Sequence, residues 1–522
     1  MKDDGKKAGR PCNLRDVFGG IGRAIRGAIR WYNLRLSSIY SPNIAALTGA
    51  LLVGIMAVIL LFVKPCVGVA DDGSLSQIML SSGLGYRAQD LEEPTGAYVT
   101  RVLQHSTRQP EGLSTHRLII RVAMWLDDQF THDGLFDMRY LSAVYLILYL
   151  PAVYLVLRGI VARVKVASEA TFLVILGAVI LGDAGVLTYF NSLYPEPVWQ
   201  ILLMYCMGCC MALQYPGDSV VQAAFLGLMA AGSALALTEA HCAAAGLVLA
   251  VFCARQLVME DGNHRTTVLA ASTAVVLVVA SVLSMTTGVT RFNDTSKMHA
   301  MTNGVLLRAE NPEQTLADFG IDARFETLTD ASAYQSYPYA LSGNDEIQRD
   351  FLSRYDTAAI ALYYIRHPGA ALQMLELGTK AALTPGRTYV GNYERSADMP
   401  PRSRNPLFVF YSDFKANTLP KTLGFLAILS IAYWALFRRR RGLQHFVVRW
   451  TLRERQIMLD TFLCLLAIGI ADISTVLCRS GTAELERYGM LYGVCVDGAL
   501  LMFAAEILHR LNILSAEDQE NG

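Results

Sequence analysis

Apolar residues along this chain gather in ten long runs with few or no charges, each about as long as a bilayer crossing requires, near 20 residues. They fall near 43–63, 139–157, 170–188, 198–214, 220–238, 242–257, 266–286, 421–437, 457–477 and 489–509. The pattern predicts an all-α polytopic membrane protein with about ten transmembrane helices. Two gaps between runs are far too long to be connectors, from about Lys64 to Met138 and from about Thr287 to Pro420. In the first, Leu118, Ile119, Val122, Met124, Trp125 and Leu126 predict a short amphipathic helix. In the second, the stretches Gln348 to Tyr364 and Gly369 to Ala382 read as helices broken at His367-Pro368-Gly369. Loops of this length need a reason, and chemistry on that face is the natural one.

Ahead of the first run, Phe18, Ile21, Ile25, Ile29 and Tyr32 recur at helical spacing among Arg15, Arg23, Arg26 and Arg30. This reads as a basic amphipathic helix lying on the cytoplasmic leaflet. It lacks the form of a secretory signal peptide. The organisation expected is therefore a basic segment 1–42, spans one to seven over 43–286 with the outer loop 64–138, a large loop domain 287–420, spans eight to ten over 421–510, and a tail 511–522.

Composition agrees with the pattern. Of 522 residues, 53% are hydrophobic and 17% charged, with mean hydropathy +0.33. A soluble domain carries roughly 25% charged residues, so soluble, disordered and fibrous classes are excluded. The 45 basic and 45 acidic residues cancel in sum but not in place. The N-terminal segment, Arg158, Arg163 and Lys165, Arg255, His264 and Arg265, and the run Arg438 to Arg441 with Arg449, Arg453 and Arg455 all fall on one side of a ten-span chain. By the positive-inside rule that side is cytoplasmic, so both termini are expected there and both long loops outside, in a plasma-membrane protein. The cysteines lie mostly within apolar runs, and no disulfide scaffold or zinc spacing is read.

The carboxylates gather at the other face: Asp71 and Asp72 just after span one, Asp183 near the end of span three, Glu196 in the loop that follows, and Glu239, Asp472, Glu484 and Glu486. Acidic residues beside spans are costly and usually functional. The large loop supplies cations. Arg366, His367, Lys380, Arg395, Arg402 and Arg404 read first as solvated surface. Lys421 is held at headgroup depth by Leu419-Pro420, and Arg387 sits on a Pro385-Gly386 turn beside Tyr389. A carboxylate facing outward with cations at headgroup level suits sugar transfer from a polyprenyl phosphate. The leaving group is already activated, so the reaction needs a base for the acceptor hydroxyl and positive charge for the departing phosphate.

These residues resemble the GT-C glycosyltransferases, and in particular a bacterial branch of S-layer and cell-surface glycan hexosyltransferases. The resemblance is carried by Asp71-Asp72-Gly73-Ser74 through Met79 with Gly83-Leu84-Gly85-Tyr86; Asp183 with Tyr189 to Pro197; Met301 to Ile321; Gly391-Asn392-Tyr393-Glu394 with Leu419-Pro420-Lys421; and Glu484 to Tyr488 leading to Asp497. It implies Asp72, or its neighbour Asp71, as catalytic base. It implies Asp183, Tyr189, Asn191, Glu196, Tyr393 and Glu394 around the sugar, and Arg387, Lys421 and His367 around the donor phosphate. Two departures are evident: Arg487-Tyr488 replaces a Lys-His pair before span ten, and Ser74 stands where a second acid is often found.

The partners implied are a polyprenyl-phosphate-linked sugar donor, a glycan or glycolipid acceptor and the lipid bilayer; no nucleic acid is expected. Asp71, Asp72, Asp183 and Glu196 are hard oxygen donors of the kind Mg or Mn takes, but no metal site is assigned and no cofactor is expected as a requirement. Two other readings use the same residues. A lipid-linked glycan polymerase or ligase would depend on loop arginines, and a flippase of lipid-linked sugars would depend on charges deep in the bundle.

Overall fold

The computed structural model describes residues 27–36, 40–91, 96–106, 114–215, 217–259, 264–286, 294–332, 345–384, 390–438, 449–483 and 485–520. Every predicted run is helical, the third being interrupted at Gly182-Asp183. The first, α1 (Pro42–Phe62), starts where the Ser41 hydroxyl accepts the Ile44 N–H at 3.2 Å and Pro42 takes the first turn. Its buried stripe of Ala46, Gly49, Ala50, Val53, Gly54 and Ala57 is made of small residues. A Cβ on Gly49 would stand 2.4 Å from Leu157, so the stripe sets how closely the neighbouring helix approaches.

Past α1 the chain forms α2 (Leu75–Ser82), then α3 (Thr115–Phe130), then the spans α4 (Met138–Val161), α5 (Ala167–Leu181), α6 (Glu196–Ala212), α7 (Asp218–Ala236), α8 (Ala243–Met259) and α9 (His264–Thr286). The second large loop carries α10 (Pro368–Ala382) and α11 (Phe410–Asn417), and α12 (Leu423–Arg438), α13 (Arg449–Ser480) and α14 (Leu485–Glu520) complete the bundle. Seven helical segments are long and apolar enough on their own to cross a membrane. The apolar parts of α8 and α12 are shorter. The 17-residue α6 is buried almost throughout and packs between α4 and α7 at the centre. The molecule is an all-α multi-pass membrane protein.

At one end of the bundle, hereafter the basic end, Arg163 and Arg510 both pair with Glu506 (2.8 and 2.7 Å), His509 contacts Glu169 (3.0 Å) and Arg255 contacts Asp460 (2.8 Å). At the opposite end, the loop end, the two long loops form one interlocked body. Gly68 donates to Asn392 O, Ala70 to Gly391 O, Val99 to Tyr393 O and Gly391 to Gly96 O, at 2.8–3.0 Å. A Cβ on Gly391 would lie 2.4 Å from Ala97 O, so this crossing requires glycine. The first loop adds a small antiparallel sheet of β1 (Leu84–Gly85), β2 (Val102–His105) and β3 (Leu135–Asp137) in that order. Its strands are two to four residues long, too short to leave a period-two trace in the sequence.

The amphipathic helix expected in the first loop is α3, capped by Ser114. It exposes Leu118, Val122, Trp125 and Phe130 and buries His116, Ile120, Ala123 and Asp127. The helix expected over Gln348 to Tyr364 is interrupted. Tyr355 is extended, and Asp356 caps a new helix, Thr357–Arg366, through the Ala359 N–H at 2.8 Å. Much of the basic segment before span one lies outside the described residues; residues 27–36, which include Ile29 and Tyr32, are helical.

Candidate active site

Directly beyond α1, Asp71 and Asp72 take different tasks. Asp71 Oδ1 accepts the N–H groups of Gly73 (2.7 Å) and Leu75 (3.1 Å), capping the approach to α2, and its Oδ2 accepts the Tyr86 hydroxyl at 2.5 Å. Burial, then the neighbouring Asp71 charge, push the Tyr86 phenol far above its ordinary value, so it remains a donor. Both Asp71 oxygens thus hold the loop. Asp72 is half-buried. Its Oδ1 accepts from the N–H (3.0 Å) and hydroxyl (2.7 Å) of Ser74 and from the Tyr194 hydroxyl (2.8 Å). The Asp72 N–H donates to the same Tyr194 oxygen at 3.0 Å.

Tyr194 is fully buried, edge-on to Tyr189 with ring centroids 6.1 Å apart. The Arg487 guanidinium, from the first turn of α14, stands 5.8 Å from the Tyr194 centroid and 5.0 Å from that of Tyr488. Arg487 lies 3.7 Å from Glu196 at the start of α6 and 3.9 Å from Glu239 in the α7–α8 turn. Glu239 contacts His241 Nε2 at 3.1 Å, and His241 Nδ1 meets Asp472 at 2.6 Å. Burial alone would raise the Glu239 carboxyl, but His241 and Arg487 hold it below its ordinary value. For His241 burial disfavours charge, and Cys242 and Asp472 outweigh it and raise the imidazole well above 6.5. The result is a chain of alternating acidic and basic side chains that reaches from α13 to the Tyr194 ring.

The residues expected around the sugar have mixed places. Asp183 is a staple. It caps Ala184–Leu187 through the Gly185 N–H (2.8 Å), and accepts both the N–H (2.9 Å) and the hydroxyl of Ser412 on α11. Asn191 donates to Leu61 O (3.0 Å) and Val67 O (2.7 Å) and accepts the Ser142 hydroxyl, tying α1 to α4. Tyr393 is buried and bridges Val67, and Glu394 pairs with Arg101 at 3.0 and 3.3 Å. Those four join the loops to each other or to the bundle. Tyr189 instead lines two cavities, one with Gly185, Thr188, Val390, Asn392 and Arg404, the other with Thr384, Lys415, Glu486 and Asp497.

Of the expected phosphate ligands, Arg387 lies outside the described residues. The described residues that flank its segment, Thr384 and Val390, each line a cavity with Tyr189. Lys421 is half-buried before α12, whose start is fixed by the Leu423 N–H donating to Glu376 at 2.8 Å. His367 stands apart. It is exposed, stacked on Tyr363 (4.2 Å), at the far end of α10, about 20 Å along the helix from Ala382, which lines the Tyr189 cavity. The carboxylates read as hard metal donors are equally divided in task, since Asp71 and Asp183 already have hydrogen-bond donors on both oxygens. His241, Cys242 and Asp472 lie within 4.8 Å of one another, but the 2.6 Å His241–Asp472 separation is that of a hydrogen bond.

Sequence reading did not single out Tyr194, Arg487 or His241 as site residues. Tyr194 was one residue of the Tyr189 to Pro197 stretch, Arg487 a substitution in an expected pair, and His241 carried no reading. The signal available was the gathering of Glu196, Glu239 and Asp472 at one end, which needed a buried cation to balance it.

A helical bundle with these long apolar helices, whose loop end gathers carboxylates around the partly buried Arg487, defines a multi-pass membrane protein. Residues 32–522 match the family model of the YfdI N-terminal transmembrane domain, and the chain belongs to that family, whose namesake is a GT-C-like membrane glycosyltransferase. No curated protein and no solved structure matches the chain.

Proposed function

We propose that this protein is an integral membrane glycosyltransferase that moves a hexose from a polyprenyl-phosphate donor to a cell-surface glycan or its lipid-linked precursor, on the extracytoplasmic face. The observation that carries the reading is the environment of Asp72. It is a half-buried carboxylate at the start of the first loop, oriented by Tyr194 and Ser74. Family membership supports the same class.

In this reading Asp72 takes the proton of the acceptor hydroxyl as its oxygen attacks the anomeric carbon. The bond from that carbon to the phosphate oxygen breaks, and polyprenyl phosphate leaves with the electron pair. The configuration inverts. Arg387 and Lys421 supply positive charge to the leaving phosphate, and Tyr189, which both cavities share, gives the sugar an aromatic wall. No proton has to reach the leaving group, so a single carboxylate suffices, unlike the paired acids of glycoside hydrolysis.

The test is hexose transfer by purified protein in liposomes supplied with radiolabelled polyprenyl-phosphate hexose and candidate acceptors. Release of polyprenyl phosphate with labelled acceptor supports the reading. Movement of the labelled lipid between leaflets without transfer would replace it with a flippase.

A further inference from the structure

Tyr194 occupies a junction that the transfer reaction alone does not demand. Its hydroxyl meets one residue twice, accepting from the Asp72 N–H at 3.0 Å and donating to Asp72 Oδ1 at 2.8 Å, with Ala70 O farther off at 3.4 Å. One phenol therefore fixes both the backbone and the carboxylate of Asp72. Pinning Oδ1 sets the direction of Oδ2, which a base needs if it is to meet a hydroxyl at a defined angle. The phenol is itself immobile, being fully buried and packed against Tyr189.

Behind the ring stands Arg487. A cation against the face of a phenol draws electron density from the ring and makes its O–H a stronger donor. Arg487 is held there from the other side by Glu196 at 3.7 Å and Glu239 at 3.9 Å, and Glu239 continues into His241 and Asp472. Neutral His116 also faces this group from α3, with burial pushing its pKa down to about 4. The arrangement runs from α6, α13 and α14 through Arg487 and Tyr194 to a loop carboxylate. A core tyrosine retained for packing alone would need neither the double contact nor the cation.

We propose that Tyr194 is the positioning residue of Asp72 and that Arg487, seated on the Tyr194 ring, sets the strength of its hold; the inference rests on Asp72 being the base of the transfer described above.

The test reads Asp72 directly as well as through activity. Protein in nanodiscs is treated with a carbodiimide and an amine, which modify protonated carboxyls, across a pH series, and modification at Asp72 is measured by mass spectrometry. Wild type, Tyr194→Phe and Arg487→Lys are compared, with hexose transfer measured in parallel. Loss of the hydroxyl donor disfavours the carboxylate, so the Tyr194→Phe midpoint moves to higher pH, and Arg487→Lys moves the same way by less. kcat of Tyr194→Phe falls about 10–100-fold while donor KM stays within about threefold. Coincident midpoints in both variants, or a Tyr194→Phe enzyme with wild-type kcat, would overturn the proposal. If Tyr194→Phe does not fold, the Arg487→Lys midpoint decides. If wild type transfers no hexose, the function reading fails, while the midpoints still settle the Tyr194–Asp72 link.

Discussion

Asp183 and Ser412, 229 residues apart, are joined twice: the Ser412 N–H donates to one Asp183 oxygen at 2.9 Å and the Ser412 hydroxyl to the other. This pair pins α11, and with it Lys415, to the end of α5. Both Asp183 oxygens therefore accept hydrogen bonds from the protein itself. Asp183→Ala leaves buried donors unmet and should cost about 2–4 kcal/mol. Thermal unfolding in detergent should show the loss. Donor KM of the folded fraction should stay within about threefold.

Lys415 and Asp497 form a second buried link, with Nζ 2.8 Å from both carboxylate oxygens and the Tyr411 hydroxyl 2.7 Å from one of them. Lys415→Met alone leaves an uncompensated charge inside the bundle and should destabilise by about 3–5 kcal/mol. The double variant Lys415→Met/Asp497→Leu should regain most of that loss. Thermal midpoints of the two single variants and the double variant, measured together, test the coupling.

The two adjacent aspartates should separate cleanly. Asp71→Asn weakens the cap on α2 and the Tyr86 bond, costing about 1–2 kcal/mol. Its transfer rate should fall much less than that of Asp72→Asn. Rates and thermal midpoints for both variants, at matched yield, distinguish the loop-holding carboxylate from the base.

Acid should loosen the loop end through His116. Burial pushes its pKa down to about 4, against 6.5 for the unfolded chain. Below pH 6.5 the unfolded chain binds a proton that the folded protein refuses. The stability linked to this group is therefore complete above pH 6.5 and is lost as pH falls toward 4. At pH 5 the loss is about 2 kcal/mol. His299, also pushed down to about 4 by burial, acts in the same direction. The informative quantity is thus the difference between wild type and His116→Gln, whose thermal midpoint should fall less between pH 7 and pH 5.

The apolar helices were legible because the bilayer imposes a length and an apolarity that no packing detail can hide, and seven of those among the described residues are long and apolar enough to cross it. The helix ends were less so. Asp183 interrupts the third span because its side chain prefers the Gly185 N–H and α11, which only the folded chain brings near. The interlock of the two loops, such as Gly68 with Asn392, was invisible because its partners are more than 300 residues apart. The hydrogen-bond partners of the candidate site residues were not legible. A polar residue has the same sequence signature whether it binds a sugar or joins two segments; in the structure Asn191 joins α1 to α4 and Glu394 pairs with Arg101. Tyr194 carried no distinguishing signal, since its importance lies in which oxygen it touches.

If Asp72 is the base of a transferase, the reaction cannot keep its rate without that carboxylate. The measurement that tests it most directly is the rate of hexose transfer from polyprenyl-phosphate hexose by wild type and Asp72→Asn in the same liposomes, at matched folding and yield. Wild type should label an acceptor, and Asp72→Asn should transfer hexose about 10²–10⁴-fold more slowly. An Asp72→Asn protein that transfers hexose at the wild-type rate would contradict it.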